Sequence, residues 1–456
     1  MVSWKRKAAG EHSFRITPTL RSVRFSLLAL ALALSLPAAS AQFFGTGGLG
    51  GSVTPSPASS ESTGMAYAGV AMPSDGASSF LLNPARLASV EPGVSAALLG
   101  RRLTYDFGDA YANAYSLTAG FAPPESPLRF GLGFGRSTLD LGEQIQTDEM
   151  GNEAATFDYV PAALVLGGAA QYDGPISVAI GLAARRVSEP NVFRFVYVGS
   201  QEVEDLSGWG VDFGLQVRAP IVRLRQETGF SASAGVGYAI QNWGGSVEID
   251  LPESASGVPS SIDYPLAAIA RLGWSATLGY DVVRHERPVR AVQLDLALEA
   301  SHSLTRSSFD ADGASVTRTA APLGRIRPLD ALLGRGREAD VRRFGEFSSE
   351  TRAAAVVGHR GVRVALFEAL TLRAGTHTAP YTFDLEDDYR AYTWGAGLSA
   401  VGLFRFFDPD SDLSALGQRG DLRVDYAYYS FYEENNNNPD PEQPWSLGLT
   451  LVARWP

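Results

Sequence analysis

The sequence predicts an all-β fold, a transmembrane antiparallel β-barrel of about 14 strands, on the basis of three observations. An N-terminal export signal is followed by no stretch that is long and apolar enough for a transmembrane helix. Many segments alternate strictly between apolar residues and small or polar residues, which is the period of a β-strand. The connections between these segments are mostly short and long in turn, as in barrels of bacterial outer membranes.

Residues 1–41 have the features of a secretory signal peptide. They carry six Lys or Arg residues and one acid, Glu11, ahead of an apolar run at 25–36. This run of about 12 residues is shorter than the roughly 20 that a transmembrane helix needs. Ala39, Ser40 and Ala41 are the small residues that a signal peptidase requires. We therefore expect cleavage before Gln42.

The mature chain is acidic and lacks cysteine. Removing a signal of net charge +5 from a chain of net charge −11 leaves −16. Because nucleic-acid binding depends on Lys and Arg at the phosphates, this balance argues against nucleic acid as a partner. The absence of cysteine excludes disulfides and thiolate chemistry.

The alternating segments are clearest at four places. At 208–220 the apolar face holds Trp209, Val211 and Phe213, whereas the other face holds Gly210, Asp212 and Gly214. The same pattern recurs at 230–240, 291–299 and 445–451. Period two predicts strands whose side chains point alternately to the two faces of a sheet.

Fourteen candidate strands follow from this pattern, and many run to about ten residues, the length a tilted strand needs to cross a membrane. They begin near Gly93, Ala112, Leu128, Val160, Ile176, Gly208, Phe230, Leu266, Arg290, Arg352, Glu368, Ala391, Asp421 and Trp445.

The connections after even-numbered strands are mostly compact, and several of those after odd-numbered strands are long. The compact ones are 122–127, 172–175, 219–229, 281–289 and 365–367, with 401–420 as the exception. The long ones are 138–159, 188–207, 242–265, 303–351 and 430–444. An even strand count with this asymmetry predicts an outer-membrane location, with both termini at the periplasmic rim.

A barrel in hydrocarbon must close, because an open sheet edge would leave backbone N–H and C=O groups unpaired. The apolar faces are then expected to meet outer-membrane lipid, and the small and polar faces to line the interior. Aromatic residues near strand ends are typical of an interfacial girdle. The candidates are Trp209, Trp243, Tyr426, Tyr428, Trp445 and Trp455.

Residues 42–92 do not alternate. A glycine-rich and Ser/Pro-rich stretch leads into STGMAYAGVAMPSDGASSFLLNPARLASV at 62–90, with Asp75 in a turn and Asn83-Pro84-Ala85 shortly before the first strand. This region resembles the N-terminal segment of the FadL-type long-chain fatty-acid transporter superfamily and its PorV/PorQ-like relatives. The resemblance implies a 14-stranded barrel whose N-terminal segment is a plug or hatch in the lumen. Pro84 biases Asn83 away from helix, so we expect the triplet to form a defined turn beneath the barrel.

The other end of the chain carries a second similarity. The string LRVDYAYYSF at 422–431, with Asp425-Tyr426-Ala427, and the terminal SLGLTLVARW resemble the closing hairpin of the PorV/PorQ branch. The expected organisation is thus a signal peptide at 1–41, a hatch-like segment at 42–92 and a barrel at 93–456.

The sequence contains only weak signals for a catalytic site or a metal site. The four histidines outside the signal occur singly in the sequence, with no pair at ligand spacing. Asp408, Asp410 and Asp412 begin like a calcium loop, but Leu413 and Arg419 stand where glycine and bidentate glutamate are needed. Barrel enzymes assemble His–Ser sites without a linear motif. We nevertheless expect no enzymatic activity, no cofactor and no metal.

Two functions remain open. The Asn-Pro-Ala segment favours a conduit for hydrophobic small molecules, although a purely structural N-terminal turn is the plain alternative. The Asp425-Tyr426-Ala427 hairpin favours a PorV/PorQ-like component of type IX protein secretion, with secreted proteins as partners. The arginine-rich connection at 303–351, with an apolar stretch at 329–333, is interpreted as a mobile surface loop, or else as an inward constriction or a docking loop.

Overall fold

The computed structural model describes most of the chain after the predicted signal. The described residues are 59–73, 76–105, 108–147, 153–190, 206–224, 229–251, 260–284, 287–310, 313–318, 321–337, 350–351, 356–380, 388–407, 420–432 and 445–455. The predicted signal peptide, Asp75 and the Asp408–Asp412 triplet therefore lie outside the described residues.

The described residues contain 21 strands, most of them with the period-two burial that alternation predicts. They are β1 Gly93–Tyr105, β2 Gly108–Phe121, β3 Leu128–Asp140, β4 Glu143–Thr147, β5 Glu153–Asp158, β6 Ala162–Asp173, β7 Ser177–Glu189, β8 Leu206–Leu224, β9 Phe230–Gly244, β10 Ser246–Leu251, β11 Ser260–Pro265, β12 Ile269–Arg284, β13 Arg287–Ser303, β14 Thr305–Asp310, β15 Gly313–Arg318, β16 Glu350–Thr351, β17 Val356–Leu366, β18 Leu370–Pro380, β19 Asp388–Ser399, β20 Gly420–Tyr432 and β21 Trp445–Arg454.

Fourteen of these strands form a closed antiparallel barrel in the order β1-β2-β3-β6-β7-β8-β9-β12-β13-β17-β18-β19-β20-β21. The ring closes between the first and last strands, where Gly93 pairs with Arg454 and Arg102 pairs with Trp445. The predicted barrel is confirmed, and each predicted strand begins within four residues of an observed one.

The two rims of the barrel differ as the connection lengths predicted. We call the edge with connections 122–127, 174–176, 225–229, 285–286, 367–369 and 400–419 the turn rim, and the opposite edge the loop rim. Only the connection at 400–419 is long at the turn rim, and it contains a helix at Ala400–Phe407. The loop rim carries the hairpins β4–β5 and β10–β11 and the sheet β15-β14-β16. The link between β1 and β2 is short although it lies at the loop rim.

The outer face of the barrel is apolar and exposed. Leu132, Leu182 and Leu451 are each 57% exposed, whereas inward residues such as Asp212 and Asp295 have no exposed surface. An exposed apolar surface of this extent indicates contact with a non-aqueous medium. The face assignment made from alternation therefore agrees with the structure.

Aromatic residues lie among these outward positions. Trp209, Tyr426 and Trp445 are exposed, and Trp394 stacks on Tyr428 with ring centroids 5.4 Å apart. Trp243 differs from the prediction, because it packs against a cluster beneath the connection that follows β13. That connection shields it from the surroundings of the barrel.

Three short α-helices accompany the strands: α1 Ser60–Gly64, α2 Pro328–Leu333 and α3 Ala400–Phe407. Two 3-10 helices, Ser79–Leu81 and Pro84–Ser89, follow α1. Among the described residues, no helix combines the length and hydropathy that crossing a membrane would require.

The described residues of 59–92, all but 74 and 75, lie inside the barrel, and we call this segment the plug. Helix α1 contacts β18 to β21, and the 3-10 helix Pro84–Ser89 contacts β2, β3, β6, β7 and β8 on the opposite wall. Ser59 begins α1 by accepting a hydrogen bond from Ser62 N at 3.0 Å through its hydroxyl. The plug therefore crosses the lumen from one wall to the other.

Candidate functional site

The inward glycines of the wall make room for the plug. A Cβ added at Gly131, Gly237 or Gly375 would overlap the backbone of Leu87, Val70 or Met65, respectively. Because glycine has no side chain, the plug backbone packs directly on the wall backbone. The recurrence of glycine within the alternating segments is thus explained by this close approach.

Asn83 and Pro84 lie inside the barrel rather than beneath it. Asn83 Oδ1 accepts a hydrogen bond from Ala85 N at 3.0 Å and caps the 3-10 helix, whose first residue is Pro84. Asn83 Nδ2 donates to Val70 O at 2.7 Å. The Asn83 side chain therefore joins the two halves of the plug, and Asn83, Pro84 and Ala85 are all buried.

The wall glycines Gly181 and Gly214 face this triplet. A Cβ at Gly214 would overlap Asn83 Oδ1, and one at Gly181 would overlap the Pro84 backbone. Gly181 and Gly214 pair with each other across β7 and β8. The triplet therefore packs directly against the paired wall residues Gly181 and Gly214.

Glu299 on β13 binds two consecutive residues of the plug. Its Oε2 accepts hydrogen bonds from Gly69 N and Val70 N, both at 2.9 Å. Its Oε1 forms an ion pair of 2.8 Å with Arg271 Nη1. Hydrogen bonds to a charged acceptor are about twice as strong as neutral ones, so one wall carboxylate fixes two consecutive plug amides.

A second charged pair contacts the plug at Leu81. Arg185 Nη2 lies 2.6 Å from Asp212 Oδ2 and also donates to Leu81 O at 3.3 Å. Gln241 Nε2 donates to the same carbonyl at 2.6 Å. Two wall side chains therefore satisfy a plug carbonyl that would otherwise be buried without a partner.

Asp425 of the closing hairpin takes part in a third charged group. Arg373 Nη1 lies 2.6 Å from Asp425 Oδ1, and Arg373 Nη2 lies 3.3 Å from Glu61 Oε1 in helix α1. Ala427 also faces inward and is buried, whereas Tyr426 faces outward and is exposed. The Asp425-Tyr426-Ala427 motif thus links plug, wall and outer face.

The structure brings together two histidines that the sequence analysis treated as isolated. His359 on β17 pairs with His377 on β18, and their ring centroids lie 5.6 Å apart. Tyr429 donates to or accepts from His377 Nδ1 at 2.5 Å, and Tyr67 of the plug packs against all three rings. Arg101 Nη1 donates to Tyr67 OH at 2.9 Å.

The plug backbone is strained beside this cluster. Ala66 and Tyr67 have φ values of 51° and 65°. The left-handed region costs roughly 1 kcal/mol for a residue other than glycine. The contacts of Tyr67 and the hydrogen bond between His359 Nδ1 and Ala66 O, at 2.8 Å, hold this turn in place.

His359 also bonds Ser301 Oγ through Nε2 at 2.8 Å. In hydrolase active sites, a serine hydroxyl is hydrogen-bonded to one nitrogen of a histidine ring, and the other ring nitrogen is hydrogen-bonded to an orienting oxygen. Ser301, His359 and the carbonyl of Ala66 are arranged in the same order. Here the orienting carbonyl belongs to the plug, and both side chains are buried against it. We interpret the arrangement as a wall-to-plug contact.

Two polar cavities lie between the plug and the turn rim. One of about 390 Å³ is lined by Glu61, Arg363, Arg373, Asp421 and Arg423, among others. The other, of about 270 Å³, is lined in part by Arg129, Asp173 and Arg218. The lumen on this side is therefore charged rather than apolar.

An apolar seam runs along the plug on the side of β6 and β7. Phe80, Leu81 and Leu87 of the plug pack with Val165 and Ala183 of the wall, and all five are buried. No group of three or more metal-ligating side chains occurs within the described ranges.

Comparisons with known proteins give structural likenesses only. No protein-family model and no curated protein matches the chain. A FadL homologue of Pseudomonas aeruginosa is 13% identical, with a TM-score of 0.43 and coverage of 89% of this chain and 99% of that chain.

Two further structures are similar at the same level. The toluene transporter TodX of Pseudomonas putida is 12% identical, with a TM-score of 0.40 and coverage of 92% of this chain and 100% of that chain. The β domain of the Bordetella autotransporter Brka is 11% identical, with a TM-score of 0.36 and coverage of 80% and 100%. These likenesses assign no family, cargo or partner to this chain.

Proposed function

We propose that the chain is a gated conduit for hydrophobic compounds in a bacterial outer membrane, of the FadL type, with residues 59–92 as the hatch. The observation that carries the proposal is a separate segment that fills the lumen of a closed barrel. Such a barrel transports its cargo only when the segment moves.

The contacts between plug and wall suit a segment that moves. Within the described residues the plug pairs with no barrel strand, so its release breaks no part of the ring. The polar contacts are individual hydrogen bonds and ion pairs, each worth about 0.5–3 kcal/mol, and Phe80, Leu81 and Leu87 add apolar contacts. The closed and open states of a gate must differ by only a few kcal/mol if cargo is to shift the balance.

The buried charges of the wall also permit release. Arg185 pairs with Asp212, Arg271 with Glu299, Arg363 with Asp295, and Arg373 with Asp425. Each of these pairs lies entirely within the wall. Departure of the plug therefore leaves no unpaired charge in these four pairs, which would otherwise cost several kcal/mol.

The apolar seam supports hydrophobic cargo. If the plug shifts away from β6 and β7, the opening is bordered by Phe80, Leu81 and Leu87 on one side and Val165 on the other. An apolar compound gains free energy in such an opening, at about 25 cal/mol for each Å² removed from water. The resemblance of residues 62–90 to FadL-type segments points to the same class of cargo.

The second candidate is a PorV/PorQ-like barrel that binds secreted proteins in type IX secretion. The charged lining of the turn-rim cavities favours it, because Arg363, Arg373 and Arg423 do not suit an apolar compound. In that case the plug is a permanent seal, and the partners bind at the loops.

A disulfide that locks the plug to the wall tests the conduit. Ser78 Oγ of the plug lies 2.8 Å from Ser116 Oγ on β2, and the chain contains no native cysteine. We expect liposomes that contain oxidised S78C/S116C protein to take up a fluorescent fatty acid much more slowly than liposomes that contain the wild-type protein. A reductant should restore the rate of uptake.

The matched control shares one cysteine. Ala97 pairs directly with Ser116 across β1 and β2, so A97C/S116C forms a disulfide within the wall. This variant should transport normally in both redox states. Unchanged uptake by the oxidised plug lock would overturn the conduit, and loss of protein export on deletion of the chain in its host would then support the second candidate.

A further inference from the structure

Residues 321–337, a part of the connection after β13, fold back along the outside of the barrel. We call this part the outer arm. Trp274 Nε1 donates to Leu332 O at 2.7 Å, and Arg360 Nε donates to Leu333 O at 3.0 Å. Both donors face outward, because the wall residues beside them in sequence, such as Ser275 and Gly361, face the lumen. The arm is therefore neither a constriction in the lumen nor a free loop.

A buried cluster fixes the orientation of the arm. Ile326 and Ala331 pack against Ile240, Ala300 and Val356 of the outer wall. Arg337 forms an antiparallel bridge with Val356, with N–O distances of 2.8 and 3.0 Å. Inside the arm, the buried Asp330 accepts from Arg327 N at 3.1 Å and forms an ion pair with Arg337 at 3.5 Å.

This orientation turns three leucines of α2 away from the protein. Leu329, Leu332 and Leu333 are 60%, 52% and 44% exposed. They continue the apolar surface of the barrel directly below, where Leu296 and Val292 are outward and exposed. Continuity with the lipid-facing surface identifies acyl chains as the medium that these leucines contact.

The arm lies at the level of the interface. Trp274, Leu298 and Arg360 form one row across β12, β13 and β17. Leu298 is six residues above Val292, which pairs with the turn-rim residue Leu366. At about 3.3 Å per residue and a tilt of roughly 40°, this row is about 15 Å above that end of the wall, and the apolar band of such barrels is about 25 Å tall. Arg337 of the arm pairs with Val356, four residues nearer the loop rim than Arg360, which adds about 10 Å. The upper part of the arm therefore reaches the headgroup region of the leaflet on the loop-rim side.

Positive charge surrounds the leucines. Residues 321–337 contain four arginines and one acid, although the chain as a whole has a net charge of −11. Arg327 and Arg335 stand at the two ends of α2 and are exposed, and Arg360 is exposed beside them. The one acid, Asp330, is turned inward. Arginine binds phosphate with two parallel hydrogen bonds.

We propose that the outer arm binds an acylated lipid with a phosphate-bearing headgroup in the outer leaflet, with Arg327 and Arg335 on the phosphates and the leucines of α2 among the acyl chains. This site lies on the outer face of the barrel. It does not depend on what passes through the lumen.

Binding of lipid A to the full-length protein tests the site. Native mass spectrometry measures the affinity for lipid A and for its phosphate-free form, which has the same acyl chains. We expect the phosphorylated form to bind more tightly, and R327Q/R335Q to lose about tenfold or more of that affinity, since tenfold corresponds to about 1.4 kcal/mol. The variant L329S/L332S should weaken binding of both forms.

The control is R186Q. Arg186 is an outward residue of β7 that pairs with the girdle residue Trp209, several strands away from the arm. R186Q should bind lipid A like wild type, and unchanged heat-dependent mobility on gels should verify that every variant is folded. Equal binding of the two lipid forms, or equal losses in R186Q and R327Q/R335Q, would overturn the proposal, as would a stoichiometric protein that occupies the arm in place of lipid.

Discussion

Glu299 shows how one inward side chain of the wall holds a segment that has no strand pairing of its own. Its carboxylate binds two plug amides and one wall arginine. The arginine neutralises the carboxylate whether or not the plug is present. Glu299 therefore stabilises the docked plug, and it does not become an unpaired buried charge when the plug leaves.

Replacing Glu299 by Gln should loosen the plug. The amide keeps the size of the side chain but loses the charge, so plug docking should weaken by about 1.5–3 kcal/mol. In planar bilayers we expect more frequent channel openings than in wild type. Asp281→Asn removes an ion pair with Arg290 that joins β12 to β13 away from the plug, and it should leave the opening frequency unchanged. Equal opening frequencies in the two variants would argue against a role for Glu299 in docking.

Gly237→Ala tests the close packing of plug and wall. The new methyl group would overlap Val70 O and displace the plug. We expect faster hydrogen exchange at the amides of 69–72. At Gly100 an added Cβ meets only Asn113 Oδ1, at 3.9 Å, so Gly100→Ala should leave that exchange as in wild type. Protection of 69–72 that is unaffected by Gly237→Ala would contradict the packing described here.

Single residues were predictable from the sequence only where a local rule applied. Pro84 restrains Asn83, and the cap on Ala85 follows from local geometry. The partners of Asp425 and Glu299 depend on strands far away in sequence, so no local pattern reveals them. The pairing of His359 with His377 was missed, although both lie nine residues from Glu368 in the turn of one predicted hairpin.

At the scale of elements, strands were predictable because lipid and lumen impose opposite preferences on alternate residues. The plug has no such period, because it is surrounded by wall on several sides and buries most of its residues. The outer arm was interpreted as a mobile loop for a related reason. Its helix has six residues and depends on tertiary packing, which sequence periodicity does not report.

Asn83→Ala should loosen the plug as an element. It removes the cap on the 3-10 helix, worth about 1 kcal/mol, and the hydrogen bond to Val70 O. Hydrogen exchange should accelerate in Pro84–Ser89 and at 69–73, but not in the barrel strands. Ser126→Ala removes a similar side-chain contact to Leu128 N at the turn rim and should leave plug exchange unaltered. If hydrogen exchange accelerated in the barrel strands as well as in the plug, plug and barrel would form one cooperative unit.

At the scale of the whole molecule, the barrel and the plug form two separable structures. The ring of fourteen strands closes through β1 and β21 without any contribution from residues 59–92. The four buried ion pairs named above stay within the wall. The barrel should therefore fold without its plug.

The ion current through single barrels from which residues 42–89 have been deleted tests this account most directly. The protein is reconstituted in a planar bilayer beside the full chain, and heat-dependent gel mobility verifies its fold. We predict a steady current through the deleted form and a mostly closed full chain, because the plug is what fills the lumen. A folded deletion variant that conducts no more than the full chain would contradict the claim that residues 59–92 close the barrel.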